Sequence, residues 1–240
     1  MTIIYEPKGK AKEYCSLAAN LYRGCGHGCL YCYGPGMLRM KRERFSQAQP
    51  RKDVIKKLAR SAKRDKFKNK GPVLLCFSCD PYQPINDTHN LTRQAIKILK
   101  DNTFDIEILT KGGKRAEADF DLLGPGDKVG ATLTFINADD SLKWEPNAAL
   151  PAERMAMLEK AKSCGLQTWV SLEPVIDPVQ ALEIIQQTHT FIDTYKVGKL
   201  NYHRAAAGVD WRKFTADVIA LLDELENDYY IKESLQPYFT

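Results

Sequence analysis

The chain alternates short, continuous apolar runs with longer stretches in which apolar residues recur every three or four positions. The short runs predict buried strands, and the longer periodic stretches predict amphipathic helices. Pro151 near the start of one periodic stretch and Gly165 just after its end are typical helix boundaries. The predicted strands are residues 16–22, 72–77, 103–110, 129–135, 168–172 and 191–197, and the predicted helices are residues 91–99, 151–164, 178–187 and 211–225.

Strands that alternate with helices predict repeated βαβ units, and therefore a parallel sheet. Right-handed crossovers curl such a sheet in one direction. About six units predict a single α/β domain, a partial (β/α)6 TIM-like barrel, because a full eight-stranded barrel usually needs about 250 residues. We expect the core of this domain at about residues 16–200 and a C-terminal helical extension at about residues 203–240. Functional residues should then gather at the carboxyl ends of the strands.

Composition and charge narrow the class of protein. The chain has 240 residues, of which 44% are hydrophobic and 27% are charged, and its formal net charge is +5. No apolar run approaches the roughly 18 residues that cross a bilayer, and residues 1–12 lack the apolar segment of a secretory signal. We therefore expect a cytoplasmic protein with no membrane partner.

Basic residues are concentrated in one part of the chain. Residues 39–70 contain fourteen Lys or Arg residues and three acidic ones, Glu43, Asp53 and Asp65. This stretch indicates either an ordinary solvated helix face or a basic surface that meets nucleic acid or another polyanion.

Three cysteines lie close together in a glycine-rich segment, Cys25, Cys29 and Cys32, with the spacing Cys-x3-Cys-x2-Cys. The chain has seven cysteines, an odd number, and no export signal, which argues against a disulfide framework and for metal ligation. Three thiolates can hold a four-iron cluster and leave one iron open, where a cofactor or substrate can bind. The segment therefore predicts an iron–sulfur site.

A zinc site is the alternative interpretation, in a protein that binds metal without catalysing a reaction. Structural zinc sites usually combine two pairs of ligands, and Cys76 with Cys79 would have to supply the second pair. That pair lies at the end of a predicted strand, where a Cys-x2-Cys turn is awkward. We expect the iron cluster, but a zinc or inert iron–sulfur module stays open on these residues alone.

The cysteine motif, followed at once by the aromatic Tyr33 and placed after a first strand, resembles the radical S-adenosylmethionine superfamily. The resemblance extends through most of the chain, and it is nearest to the branch that contains spore photoproduct lyase. The motifs that resemble the strand ends of that branch are Ser-Cys-Asp-Pro-Tyr-Gln-Pro at residues 78–84, Leu-Thr-Lys at 109–111, Thr-Leu-Thr at 132–134, Ser-Leu-Glu-Pro at 171–174 and Lys-Val-Gly-Lys at 196–199.

This resemblance implies a [4Fe–4S] cluster on Cys25, Cys29 and Cys32, with S-adenosylmethionine bound to the fourth iron. An electron from a donor such as flavodoxin or ferredoxin would break the sulfur–C5′ bond, and the resulting 5′-deoxyadenosyl radical would take a hydrogen atom from the substrate. The cofactor carries the difficult chemistry, and the protein supplies binding and orientation. By analogy with the branch, the substrate would be a nucleobase, a nucleotide, or DNA or RNA, in a lyase- or isomerase-type reaction such as repair or base modification.

The resemblance also implies residues that bind the cofactor. Ser78 and Asp80 occupy the place of a Gly-Gly-Glu stretch that superfamily members often use for the methionine ammonium. Lys111 is similar to a lysine that pairs with the methionine carboxylate. Thr132 and Thr134 alternate along one strand, so both hydroxyls can face the barrel interior. The expected cofactor-binding set is Tyr33, Ser78, Asp80, Lys111, Thr132, Thr134, Glu173 and Lys196.

Three residues are candidates for chemistry on the substrate: Cys79, Glu173 and Lys199. Glu173 lies in an apolar run, where an unpaired carboxylate is costly. We expect Lys196 or Lys199 as its partner, in a pair that closes the barrel or holds substrate or cofactor. Spore photoproduct lyase has a hydrogen-donating cysteine where this chain has Phe77. Cys79, two residues on, is either the replacement donor or a small buried hydrophobe.

Overall fold

The computed structural model describes residues 2–201 and 203–239. The strands are β1 (Ile4–Tyr5), β2 (Leu17–Ala19), β3 (Tyr22–Arg23), β4 (Gln49–Pro50), β5 (Val73–Leu75), β6 (Ile106–Thr110), β7 (Lys128–Thr132), β8 (Gln167–Val175), β9 (Thr194–Lys199) and β10 (Asp228–Ile231). The α-helices are α1 (Gly34–Met37), α2 (Arg42–Ser46), α3 (Val54–Ala62), α4 (Asn86–His89), α5 (Leu91–Asp101), α6 (Ala138–Trp144), α7 (Pro151–Ser163), α8 (Pro178–Thr188) and α9 (Trp211–Glu224). Turns of 3-10 helix occur at Gly9–Glu13, Asp65–Phe67, Gly113–Leu122, Arg204–Gly208 and Gln236–Tyr238.

One large sheet organises the fold, with the strand order β1-β2-β5-β6-β7-β8-β9-β10. The short edge strand β1 runs antiparallel to β2, and every other neighbouring pair in this sheet is parallel. The expected α/β domain with a mostly parallel, partial barrel is confirmed. No helix in residues 2–201 and 203–239 is long and apolar enough to cross a membrane.

The C-terminal segment differs from the helical extension that the sequence predicts. After α9 the chain forms β10, which pairs in parallel with β9 and adds a strand to the six that were predicted. The run Asp-Tyr-Tyr-Ile is only four residues long, so its aromatic and β-branched character gives little signal beside the strong helical period that precedes it.

The first and fourth predicted strands are also shorter than expected. Residues 16–22 divide into β2 and β3, and β3 leaves the large sheet to pair antiparallel with β4. The strand predicted at residues 129–135 ends at Thr132. The loops that follow β2 and β7 are buried, so apolar residues continue past the ends of both strands. A prediction from the apolar pattern therefore makes these strands too long.

Alternation along the strands separates two faces of the sheet. Residues such as Ile108 of β6 and Leu172 of β8 face the helices and belong to the large apolar core. On the other face, Trp169 packs with Ala18 and Leu74 in a small second cluster. Polar and charged side chains from β6, β8 and β9 share this second, interior face, and they meet the loops at the carboxyl ends of the strands.

Candidate cluster and cofactor site

The loop between β3 and α1 carries Cys25, Cys29 and Cys32, and none of these thiols is in a disulfide. The amide of Cys25 donates to the carbonyl of Phe45 at 2.9 Å, and the amide of Cys32 donates to the carbonyl of Cys29 at 3.1 Å. Burial raises the pKa of Cys29 to about 11. The thiol therefore keeps its proton at neutral pH until a metal ion displaces it.

Glycines fix the shape of this loop by close approach to α2. Gly24 has a φ of +89°, and a Cβ there would lie 2.3 Å from the carbonyl oxygen of Phe45. A Cβ on Gly34 would lie 2.5 Å from the Phe45 ring and 3.3 Å from the sulfur of Cys32. Three free thiols in a tight backbone cradle that only glycine permits are a donor set that fits an iron–sulfur cluster.

Gln83, which follows β5, binds the backbone of the cluster loop through its side-chain amide. Its side chain is fully buried. Its Oε1 accepts from the amide of Gly26 at 2.8 Å, and its Nε2 donates to the carbonyl of Gly24 at 3.4 Å. On the outer side, Arg42 of α2 donates to the carbonyls of Cys29 and Cys32 at 2.7 and 3.3 Å. The loop is thus held from both sides.

Asp80 joins the same loop to the end of β6. Its carboxylate accepts from the Thr110 hydroxyl and the Lys111 amide at 2.7 Å and from the Tyr82 amide at 2.8 Å. Its Oδ2 lies 3.2 Å from Nε2 of His27. Burial alone raises the pKa of Asp80, but His27 and the hydrogen bonds outweigh burial and lower the pKa to about 2. The carboxylate is therefore charged, and both of its oxygens have protein partners.

Lys111, just after β6, presents a cation beside the cluster loop. Its Nζ lies 5.7 Å from the centre of the Tyr31 ring. Burial lowers the pKa of Lys111, but Cys29 and Glu145 outweigh burial and raise it. The described residues provide no hydrogen-bond acceptor for this ammonium group. A charged, half-buried lysine without a protein acceptor can pair with a bound anion.

A buried ion pair lies behind Lys111. Glu145 and Arg154 are each 1% exposed, and their Oε2 and Nη2 atoms are 2.6 Å apart. Tyr31 donates its hydroxyl proton to Glu145, and Arg154 also donates to the carbonyl of Thr132 at 2.9 Å. Burial raises the pKa of Glu145, but Arg154 and Lys111 outweigh burial and lower it. This network ties the end of β7 to Tyr31, one of the two residues between Cys29 and Cys32.

A second polar network occupies the interior face of the sheet. Glu173 of β8 accepts on its Oε2 from the hydroxyl of Tyr14 and from the ammonium of Lys232 at 2.5 Å. Tyr14 also lies 3.0 Å from the hydroxyl of Ser171. Lys232 is almost completely buried, and its Nζ lies 3.7 Å from Glu13.

The partners that the sequence analysis gave to Glu173 are wrong. Lys196 lies 3.3 Å from Glu107 across the interior, and Lys199 donates to the hydroxyl of Tyr238 at 2.8 Å. The register explains the difference: Lys196 of β9 is level with residue 171, and the pairing shifts between residues 172 and 175. The true partner, Lys232, follows β10, a strand that the sequence did not predict.

Comparison with known proteins identifies the family. A family model described as the Radical SAM superfamily matches residues 19–192. The chain belongs to the radical SAM superfamily. No curated protein matches this radical SAM chain.

Solved structures are similar to this radical SAM chain in fold. One is a spore photoproduct lyase variant with bound S-adenosylmethionine and dinucleoside spore photoproduct. Its TM-score is 0.72 and its identity 13%, and the match covers 94% of this chain and 78% of that one. Streptococcus suis SuiB bound to S-adenosylmethionine matches with a TM-score of 0.67 and 11% identity, over 90% of this chain and 49% of that one. SuiB is also seen with its precursor peptide SuiA, at a TM-score of 0.68 and 11% identity over 90% and 48% of the two chains.

As a radical SAM enzyme, the chain uses a [4Fe–4S] cluster and S-adenosylmethionine, which supply a 5′-deoxyadenosyl radical when they are bound. The non-catalytic zinc module is not favoured. In the described ranges, no group of three or more His, Cys, Asp or Glu side chains is placed to hold a single metal ion. A four-iron cluster has a different requirement, because each thiolate binds a different iron.

The radical SAM fold brings some predicted residues to the cluster loop and leaves others at its margin. Thr132 and Thr134 are buried, and the hydroxyl of Thr134 lies 3.3 Å from that of Tyr31. The amide of Ser78 donates to Asn20 at 2.7 Å. Cys79 is 9% exposed and packs in the large apolar core. The cofactor and catalytic roles expected for these residues stay predictions.

Several residues that build the site went unrecognised in the sequence. Glu145 and Arg154 lie in or beside helices, where charged residues are normally solvated, so nothing in a single sequence marks them as buried. Gln83 lies within a strand-end motif, and Tyr31 lies between two cluster cysteines. Their positions in these motifs are the only features of the sequence that point to a role in the site. The residues found only in the structure are Tyr14, Asn20, Tyr31, Gln83, Glu145, Arg154 and Lys232.

Proposed function

We propose that this radical SAM enzyme performs a lyase- or isomerase-type reaction on a nucleobase, carried by a nucleotide or by DNA or RNA. In this proposal Cys25, Cys29 and Cys32 hold the cluster, and a small electron carrier such as flavodoxin or ferredoxin reduces it. One observation carries the substrate class: a row of aromatic side chains leads from the cluster loop to the interior face.

The aromatic row begins at Tyr33, directly after the third cluster cysteine. The Tyr33 and Phe77 rings are 6.1 Å apart between centroids, and the Phe77 and Tyr14 rings are 5.8 Å apart. Tyr33 is 56% exposed, so the row opens to the surface at this end. At the other end Tyr14 meets the carboxylate of Glu173. The Tyr33 and Phe77 rings are tilted by 50° and the Phe77 and Tyr14 rings by 66°, so a flat base would stack on one ring of the row rather than on all three. Stacking of a base on one aromatic ring contributes about 1–3 kcal/mol.

On the cofactor side, Lys111 is proposed to pair with the methionine carboxylate of S-adenosylmethionine. The support is its position beside Cys29, its charge, and the lack of a protein acceptor among the described residues. Asp80 is already engaged by Thr110, by the Lys111 amide and by His27. Its contacts favour a role in positioning the loop rather than the ammonium contact that the resemblance implies.

Lys111→Ala is expected to weaken S-adenosylmethionine binding by about ten- to a hundredfold, because one charge-assisted hydrogen bond contributes roughly 1.5–3 kcal/mol. Iron content should stay the same, since Lys111 does not bind the cysteines. The measurement is equilibrium binding of S-adenosylmethionine to the anaerobically reconstituted protein. Lys114→Ala, at an exposed lysine three residues away, is the matched control; equal affinities in the two variants would remove Lys111 from the cofactor site.

The basic stretch at residues 39–70 contributes an exposed surface beside the cluster loop. Lys41 and Arg44 flank Arg42 on this surface and are exposed. Arg42, by contrast, holds the carbonyls of Cys29 and Cys32. Replacing Arg42 would disturb the cluster loop itself, so a test of nucleic-acid binding should use Lys41 and Arg44.

If the substrate is a nucleic-acid polymer, labelled single-stranded oligonucleotides should bind weakly, and more tightly than intact duplex, because a radical site must reach an unstacked base. Affinity should fall steeply with salt as counterions are released, and Lys41→Ala with Arg44→Ala should flatten the slope by about 1–2 units. Arg212→Ala with Lys213→Ala on α9 removes the same charge elsewhere. Absence of binding even at low salt would restrict the substrate to a free nucleotide or a small molecule.

The deciding experiment is anaerobic reduction of the reconstituted enzyme with S-adenosylmethionine, first alone and then with nucleosides, nucleotides and oligonucleotides. Formation of 5′-deoxyadenosine is followed by chromatography. A nucleobase-containing compound that raises the rate and is itself changed in mass would support the proposal. Stimulation by peptides alone would contradict it and would place the enzyme with the peptide-binding members of the fold.

A further inference from the structure

We infer that the free oxygen of Glu173 accepts a hydrogen bond from an N–H group on the edge of the substrate's base. This inference rests on the proposed function and makes it more specific. The substrate class becomes nucleobases that present an imide, amide or amino N–H at the edge that enters the interior. Glu173 is then a specificity-determining residue rather than only a structural partner of a lysine.

The two hydrogen bonds that Glu173 receives both reach the same atom. Tyr14 and Lys232 donate to Oε2. Across residues 2–201 and 203–239, no donor is bonded to Oε1. The Glu173 side chain is 19% exposed, whereas Lys232 behind it is 3% exposed. A carboxylate that two donors fix on one oxygen offers the other oxygen as an oriented acceptor.

The carboxylate of Glu173 also packs closely over the backbone of β9. A Cβ on Gly198 would lie 2.9 Å from Oε1 and 2.9 Å from the Lys232 side chain. The carboxylate therefore lies against a position where only glycine leaves room for it. Burial and the neighbouring Glu173 hold the pKa of Tyr14 well above its ordinary value, so the phenol remains a donor to Oε2 and keeps the carboxylate in place.

The aromatic row directs a base towards this oxygen. Tyr14 lies between Phe77 and Trp169, with ring centroids 5.8 and 6.3 Å away, and its hydroxyl bonds Glu173. In this proposal a base that stacks on Phe77, next to Tyr14, turns an edge towards the carboxylate. An N–H on that edge gains a charge-assisted hydrogen bond, whereas a carbonyl oxygen there meets a like partial charge. A site built around such a bond discriminates strongly against analogues that lack the donor.

The test uses the reconstituted holoenzyme with S-adenosylmethionine and pairs of nucleosides. Each pair is a nucleoside and its counterpart with the base N–H replaced by N-methyl, for example uridine and 3-methyluridine. For at least one pair, equilibrium dialysis should give about ten- to a hundredfold tighter binding of the unmethylated form. Glu173→Gln should abolish most of this ratio. Glu117→Gln, at a similarly half-buried carboxylate that lies 3.0 Å from Lys160, should leave the ratio unchanged.

The outcomes separate this inference from the proposed function. If nucleosides bind and Glu173→Gln retains the wild-type ratio, the inference is wrong and the proposed function stands. If no nucleoside or oligonucleotide binds while S-adenosylmethionine cleavage is normal, both are wrong. If Glu173→Gln loses its iron, Tyr14→Phe replaces it, because that variant keeps the carboxylate but removes one of its two fixing bonds. A lowered ratio in Tyr14→Phe at full iron content supports the inference, and an unchanged ratio overturns it.

Discussion

Cys29→Ala is expected to yield a protein that has lost most of its iron and all formation of 5′-deoxyadenosine. Cys29 is the central thiol of the motif, and its backbone also accepts from Cys32 and Arg42. With two thiolates left, a four-iron cluster has two open irons and dissociates readily. Iron and sulfide analysis, the low-temperature electron paramagnetic resonance spectrum of the reduced protein, and the 5′-deoxyadenosine assay measure the loss.

The controls for this prediction are the cysteines outside the motif. Cys15 is buried on the interior face, and Cys164 is exposed at the end of α7. Cys15→Ala and Cys164→Ala should both keep the iron content of the wild type. Four irons and normal cleavage in Cys29→Ala would show that the cluster is bound elsewhere.

Glu145→Ala is expected to lower the free energy of unfolding by about 3–5 kcal/mol, because it leaves the buried Arg154 guanidinium without its counter-charge. Glu145 and Arg154 are both almost inaccessible to water, and the pair also holds the hydroxyl of Tyr31. Denaturant unfolding of the cluster-free protein, followed by circular dichroism, measures the change without interference from iron loss.

A partly exposed ion pair supplies the comparison. Glu117 lies 3.0 Å from Lys160, and their side chains are 21% and 57% exposed. Glu117→Ala should change the free energy of unfolding by at most about 1 kcal/mol, because exposed pairs are screened by water and salt. Similar small losses in Glu145→Ala and Glu117→Ala would mean that Arg154 finds other partners when Glu145 is absent.

The position of Lys111 at a strand end was predictable from the residues around it. It ends the Leu-Thr-Lys run of a strand, and the carboxyl ends of parallel strands meet at one edge of the sheet. The structure places its ammonium beside Cys29 for that reason. Its environment was not predictable, because Glu145 comes from the end of α6 and Arg154 from α7, both distant in sequence.

Glu173 illustrates the limit of the same reasoning. A carboxylate in an apolar strand requires a partner, and that requirement was correctly derived from the sequence. Nearness in the chain favours a partner on the next predicted strand, which is β9. The actual partner follows β10, and the register of β8 with β9 places Lys196 opposite residue 171 instead.

By itself, the sequence determined the features that depend on local spacing: the alternation of strands and helices, the cysteine motif with its glycines, and the strand-end position of Asp80, Lys111 and Glu173. These follow from periods of 2 and 3.6 residues and from the geometry of parallel sheets. Only the tertiary structure decided which charges meet. The pairs Glu145–Arg154 and Glu173–Lys232 each join residues from different elements. Which buried charge compensates another depends on register and chain path, and neither has a local signal in one sequence.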